Sequence, residues 1–114
     1  MSAGYLELFL EQGEYFSANV TLDAVNGSYY DLTNYSAKSQ IRKSYWSESP
    51  VAEFSTTVEG QDGIITITLD ANTTQTLTSS RYVYDIFIFN ANNATSRTKV
   101  LEGIIFVDPS ATKF

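Results

Sequence analysis

Apolar residues recur at every second position in several short runs, and clusters of Gly, Asn, Asp and Ser separate the runs. Alternation of this kind places one face of a strand on a core and the other in water. Within residues 5–10, Leu6, Leu8 and Leu10 share a face, and Gln12-Gly13 ends the run. Residues 15–22 set Phe16, Ala18, Val20 and Leu22 against Ser17, Asn19 and Thr21, as a half-buried antiparallel strand does. Asn26-Gly27 is a tight-turn signal. Residues 37–45 form a more polar strand with Ala37, Ser39 and Ile41 inward, followed by a loop over 47–50. Residues 51–58 predict one strand carrying Ala52, Phe54, Thr56 and Val58 on one side. Asp62-Gly63 turns the chain into residues 64–69, where Ile65, Ile67 and Leu69 face the same way. Residues 70–80 lack alternation and predict a crossing connection with room for one helical turn. The strongest strand spans 81–89, a polar hairpin loop 90–96, and a last long strand 98–107, closed by Pro109.

Seven or eight short strands, rich in β-branched and aromatic residues and without a helix-period segment, predict an all-β protein. The expected architecture is an antiparallel β-sandwich of immunoglobulin-like type, a single domain over residues 1–114. Residues 1–10 are expected as an edge strand or as an N-terminal arm contacting a neighbour, with Tyr5 and Phe9 as the arm's contact residues. Tyr82, opening a late strand, stands where sandwiches place a tyrosine corner, with Tyr84 then directed into the core. Trp46 lies beside a loop and does not match the core Trp of antibody domains.

The last two long strands are apolar on both faces. One carries Tyr82, Tyr84, Ile86 and Ile88 against Val83, Phe87 and Phe89. The other carries Leu101, Ile105 and Val107 against Val100, Ile104 and Phe106. A two-layer sandwich buries only one face of each sheet. If these strands pair, Val83, Phe87, Phe89, Val100, Ile104 and Phe106 make an exposed apolar patch, the mark of a protein interface. The competing expectation is that a loop or the N-terminal arm covers it. Asp85, inside the most apolar strand, is expected to fix register against Arg81, Lys99 or Arg42. Tyr29, Tyr30, Tyr45 and Trp46 gather around two predicted loops, where aromatic rings can stack on sugars.

Composition narrows the function classes. The chain has 114 residues, 43% hydrophobic and 18% charged, the profile of a folded domain. Its net charge of −6 argues against nucleic-acid binding and against docking on anionic membrane. With no His and no Cys, it lacks the residues of imidazole acid–base catalysis, thiol nucleophiles and ordinary zinc sites. Asp23 with Asp31, and Glu59 with Asp62, lie near turns but lack calcium-loop spacing. The expectation is a non-enzymatic protein without cofactor or metal. No run approaches the roughly 18 apolar residues of a membrane span. Residues 1–10 lack the basic opening of a signal peptide. Asn-x-Ser/Thr triplets at Asn19, Asn26, Asn34, Asn72 and Asn93 are therefore read as products of a Ser/Thr-rich composition rather than glycosylation acceptors.

A family resemblance runs through most of the chain. Gln12-Gly13-Glu14-Tyr15-Phe16 resembles the "QGxxF" opening of a class of small phage virion domains. Asp31-Leu32-Thr33-Asn34-Tyr35, with Ala37, Gln40, Ile41 and Arg42, resembles the block "DLTGY-x-A-x-x-Q-I-R" that follows it. Gly63 through Leu69, Leu77 and then Arg81-Tyr82-Val83-Tyr84-Asp85-Ile86 resemble its second half, and Val100-Leu101-Glu102-Gly103 with Ile105, Val107 and Pro109 its close. Asn34 stands where Gly is usual, a substitution a left-handed turn tolerates. These domains are similar to the immunoglobulin-like N-terminal domain of phage baseplate upper proteins. The resemblance implies a virion structural protein of a tailed phage, made in the host cytoplasm and placed in the tail, baseplate or neck. Its partners would be other virion proteins and further copies of itself. A capsid-surface decoration protein is the alternative, and a carbohydrate-binding module is the alternative of another class. The resemblance supplies no catalytic residue.

Overall fold

The computed structural model describes residues 4–22, 32–78 and 80–113. The strands are β1 (Gly4–Tyr5), β2 (Leu8–Glu11), β3 (Phe16–Thr21), β4 (Tyr35–Arg42), β5 (Ala52–Glu53), β6 (Ser55–Glu59), β7 (Ile64–Leu69), β8 (Arg81–Asn90) and β9 (Asn93–Asp108), with one short helix, α1 (Ala71–Gln75). They form two sheets. The larger has six strands in the order β1-β9-β8-β4-β5, with β2 also on β9; the smaller has the order β3-β7-β6. This is the immunoglobulin-like arrangement, with the first edge strand parallel to the last strand and all other pairs antiparallel.

Alternation decides which face each strand buries. From the larger sheet Ile41, Tyr82, Tyr84, Ile86, Ile88 and Ile105 are buried; from the smaller come Val20, Ile65, Ile67 and Leu69. Phe54 sits between the layers, its ring 6.0 Å from Phe16 and 6.1 Å from Tyr84. The smaller sheet's other face is polar: Thr66 Oγ1 donates to Asn19 Oδ1 there at 2.9 Å. Ser39 is the buried polar residue of β4, and its hydroxyl donates to the Asp85 carbonyl at 2.6 Å.

The quoted motifs serve turns and seams. Gly13 has φ +86°, and the Gln12 amide donates to the carbonyls of Gln75 and Leu77 at 3.3 Å each. The same side chain accepts from Ser110 N–H at 3.2 Å and Lys113 Nζ at 3.1 Å, so one glutamine ties three segments together. Thr74, fully buried, accepts from Gly13 N–H at 3.1 Å and donates to the Glu14 carbonyl at 2.9 Å. Asn34 has φ 67°, the left-handed turn expected of it. Asp70 caps α1, accepting from Thr73 N–H at 2.7 Å. The Thr73 side chain, and after it this backbone bond, hold the Asp70 carboxyl below its ordinary range.

Three expectations need adjusting. Residues 5–10 are two strand pieces rather than one, because Leu6 leaves the alternation and is 43% exposed, while Leu8 and Leu10 stay in the core. Residues 51–58 also divide: β5 pairs with β4, whereas β6 pairs with β7 in the other sheet. The chain switches layers at Phe54. The polar hairpin over 90–96 is shorter than predicted, since β9 begins at Asn93. Tyr84 is directed into the core as expected, and its hydroxyl donates to the Leu6 carbonyl at 2.6 Å. Tyr82 is itself buried. The Asn26-Gly27 turn lies outside the described residues.

Candidate functional site

The paired long strands β8 and β9 do present a second apolar row. Their register sets Val83 beside Ile104, Phe87 beside Lys99 and Phe89 beside Arg97 on the face turned away from the core. β4 continues the same rungs on the other side, with Lys38 beside Phe87 and Arg42 beside Val83. Val83, Phe87, Phe89, Ile104 and Phe106 are each half-buried on this face. Val100 is not among them. A bulge opposite the step from Ile86 to Phe87 gives β9 one extra residue, and Val100 turns inward, 5% exposed within the core cluster.

The N-terminal segment covers one end of this face. Phe9 stacks on Phe106 with centroids 5.4 Å apart and planes 16° apart. Phe9 nevertheless remains 71% exposed and Tyr5 60% exposed. Both belong to strand pieces paired with this chain's own β9. Tyr5 donates to Glu7 Oε2 at 3.1 Å.

Farther from that end, the sheet dips into an open groove of about 500 Å³ along β4 and β8. Val83, Phe87 and Phe89 line its apolar part, and Lys38, Arg42, Arg97 and Asp85 supply its charges. Three cations to one carboxylate is a local inversion of the chain's net −6. Five of the seven basic residues, Lys38, Arg42, Arg81, Arg97 and Lys99, stand on this sheet face. Among the described residues the only ion pair is Lys99 with Glu102, at 2.9 Å. Arg42 is held by neutral acceptors, donating to the Ser47 carbonyl at 2.7 Å and to Gln40 Oε1 at 2.8 Å. Its guanidinium is thus fixed in place with its charge uncompensated by a carboxylate contact.

Asp85 does not sit directly opposite a basic residue. Its rung neighbours are Gln40 and Glu102. Burial pushes its carboxyl above the ordinary range; Lys99 and Arg42 pull the other way, and Glu102 adds to the rise.

Of the glycan candidates, Tyr29 and Tyr30 lie outside the described residues. Tyr45 and Trp46 pack edge to face with centroids 6.4 Å apart on the turn after β4, and Trp46 is 88% exposed. Tyr45 reaches the groove and Trp46 does not line it. No three acidic side chains among the described residues converge to hold a metal ion. No described helix is long and apolar enough to cross a membrane. The sequence reading had the apolar row but missed the cations beside it. Lys38 and Arg97 meet around Phe87 and Phe89 only through the pairing of β4, β8 and β9.

No protein-family model matches the chain, and no curated protein matches it in sequence.

Proposed function

We propose that the protein is a non-enzymatic attachment domain that docks neighbouring proteins through the outer face of its larger sheet. We place it in the tail, baseplate or neck of a tailed-phage virion. The observation that carries the docking role is the second apolar row, Val83, Phe87, Phe89, Ile104 and Phe106, on a sheet whose opposite face already makes the core. Aromatic side chains and arginine on one face are the composition of protein interfaces. The particle setting rests on the order of the motifs from Gln12-Gly13 to Pro109. In a symmetric particle many copies act together, so a modest contact per copy suffices.

Gold-labelled antibody against this chain, applied to intact purified phage particles and viewed by electron microscopy, tests the setting. Label at the tail or its base is the expected result. Label spread over the head converts the reading to a capsid decoration protein. Absence of label, with the chain confirmed as expressed, overturns the virion setting. A second reading, glycan recognition, is favoured by the exposure of Trp46 next to Tyr45. A glycan array tests it: binding lost in Trp46→Ala supports it, and no binding to any glycan dismisses it.

A further inference from the structure

We infer that the groove along β4 and β8 seats an acidic, extended segment of a partner protein. Its carboxylates would meet Lys38, Arg42 and Arg97, and its apolar side chains Phe87 and Phe89. The inference rests on the docking role proposed above and names the partner's chemistry. Charge is the first argument. The groove gathers three cations against one carboxylate in a chain that is otherwise strongly acidic. None of the three has a carboxylate within ion-pair distance among the described residues. Cations grouped without partners repel one another, and an anionic ligand removes that repulsion. Preorganisation is the second argument. Arg42 is already fixed by Ser47 and Gln40, so little side-chain freedom is lost when it meets a carboxylate.

Shape and lining distinguish a peptide from other anions. The groove is open rather than enclosed and runs along an eight-residue strand, a length that about eight extended residues match. Its apolar part is made of phenylalanine and valine. A polypeptide with alternating acidic and apolar side chains satisfies both the row and its rim. A polyanionic sugar can lay only a ring face on the phenylalanines and buries less apolar surface there than aliphatic or aromatic side chains do.

The test is selection from an unbiased displayed library of peptides about ten residues long against the whole chain, followed by affinity measurement. Selected peptides are expected to combine Asp or Glu with aromatic or aliphatic residues. Their affinity should fall about tenfold in the Lys38→Glu/Arg97→Glu double variant, and comparably when salt rises to about 0.3 M. Lys38→Arg/Arg97→Lys should retain binding. So should Thr57→Glu, an exposed site on the opposite sheet. Lys38 and Arg97 are exposed, so the variants are expected to fold, which an unchanged melting curve verifies. Arg42 is left intact because it anchors the turn after β4.

Neutral or basic selected peptides overturn the inference, as does indifference to the double reversal. If no peptide is selected and polygalacturonate binds in a manner the double variant abolishes, the ligand is an anionic sugar. If the chain self-associates at low salt and the variant is monomeric, the occupant is a second copy. Either result overturns a separate acidic partner. Gold label on the tail together with a failed peptide selection leaves the attachment role standing and removes only the acidic partner.

Discussion

Replacing Gly103 by alanine tests how the N-terminal segment is joined to the sheet. A β-carbon built at Gly103 falls 2.0 Å from the Leu6 carbonyl oxygen and 2.8 Å from the Leu6 carbonyl carbon. Both are backbone atoms, so the clash is not relieved by turning a side chain. The Leu6 backbone must retreat by about 1 Å or more to reach an ordinary contact. Two hydrogen bonds end there: Leu6 N–H to the Glu102 carbonyl at 3.0 Å, and the Tyr84 hydroxyl to the Leu6 carbonyl at 2.6 Å. Each contributes about 1 kcal/mol net, and a buried hydroxyl left without a partner costs about 1 kcal/mol more. Gly103→Ala is therefore expected to destabilise the fold by about 3 kcal/mol, a fall of roughly 12 °C in melting temperature. If the segment detaches fully, uncovering Leu8 and Leu10 adds about 2 kcal/mol for each. Thermal unfolding followed by circular dichroism gives the total. Amide exchange over residues 6–11 locates the loss. Tyr84→Phe is the comparator: it removes the hydroxyl without the clash and is expected to cost about 1 kcal/mol. A Gly103→Ala protein melting within about 2 °C of wild type, with residues 6–11 still protected, would refute the reasoning.

Four further outcomes follow from the same geometry. Gln12→Ala removes four hydrogen bonds between the first turn, the end of α1 and the C-terminal residues; we expect a loss of about 1–2 kcal/mol in denaturant titration. Asp85→Asn is expected to raise the melting temperature at pH 7. The folded state binds the Asp85 proton more tightly than the unfolded chain does, so wild type loses stability as pH rises from about 4 through the raised pKa, and the variant escapes that loss. Melting curves across this range check the sign, and a less stable variant at pH 7 would show that attraction to Lys99 and Arg42 outweighs burial. Phe9→Ala removes the stack on Phe106 and should lower stability by about 1 kcal/mol, measured in the same titration. Trp46→Ala, at a side chain 88% exposed, is expected to leave the melting temperature unchanged to within about 2 °C.

The inward rows of β3, β7 and β8 were legible because each strand keeps an unbroken two-residue period against one shared core. That same sharing hid the layer switch at Phe54. Ala52, Phe54, Thr56 and Val58 all point to the common core whichever sheet holds them, so the pattern runs through the switch unchanged. Val100 was misplaced for the opposite reason. Counting by twos from Ile104 puts it outside, and the bulge that turns it inward adds a residue without any Gly or Pro to announce it. Leu6 fits the period of Leu8 and Leu10, but its backbone is held by Glu102 and Tyr84, contacts nearly the whole chain away. The apolar half of the candidate site was visible in Phe87 and Phe89. Its charged half depends on which strands are neighbours, and no local pattern states that Lys38 lies beside Phe87.

The parallel pairing of β1 and β2 with β9 also decides how the domain answers a pull. Gly4 lies beside Leu101, and Glu11 beside Asp108, so the chain enters at one end of the pair and leaves at the other. Tension applied at residue 4 and beyond residue 108 slides the two strands along each other. The interstrand hydrogen bonds, lying across the strands, then resist together instead of parting one at a time as in a peeled hairpin. The Tyr84 tie at Leu6 and the Gln12 clamp on Ser110 lie near opposite ends of that seam. Rupture along this direction then requires the whole seam to give way at once, so the lifetime of the fold under such a force is set by its unfolding rate.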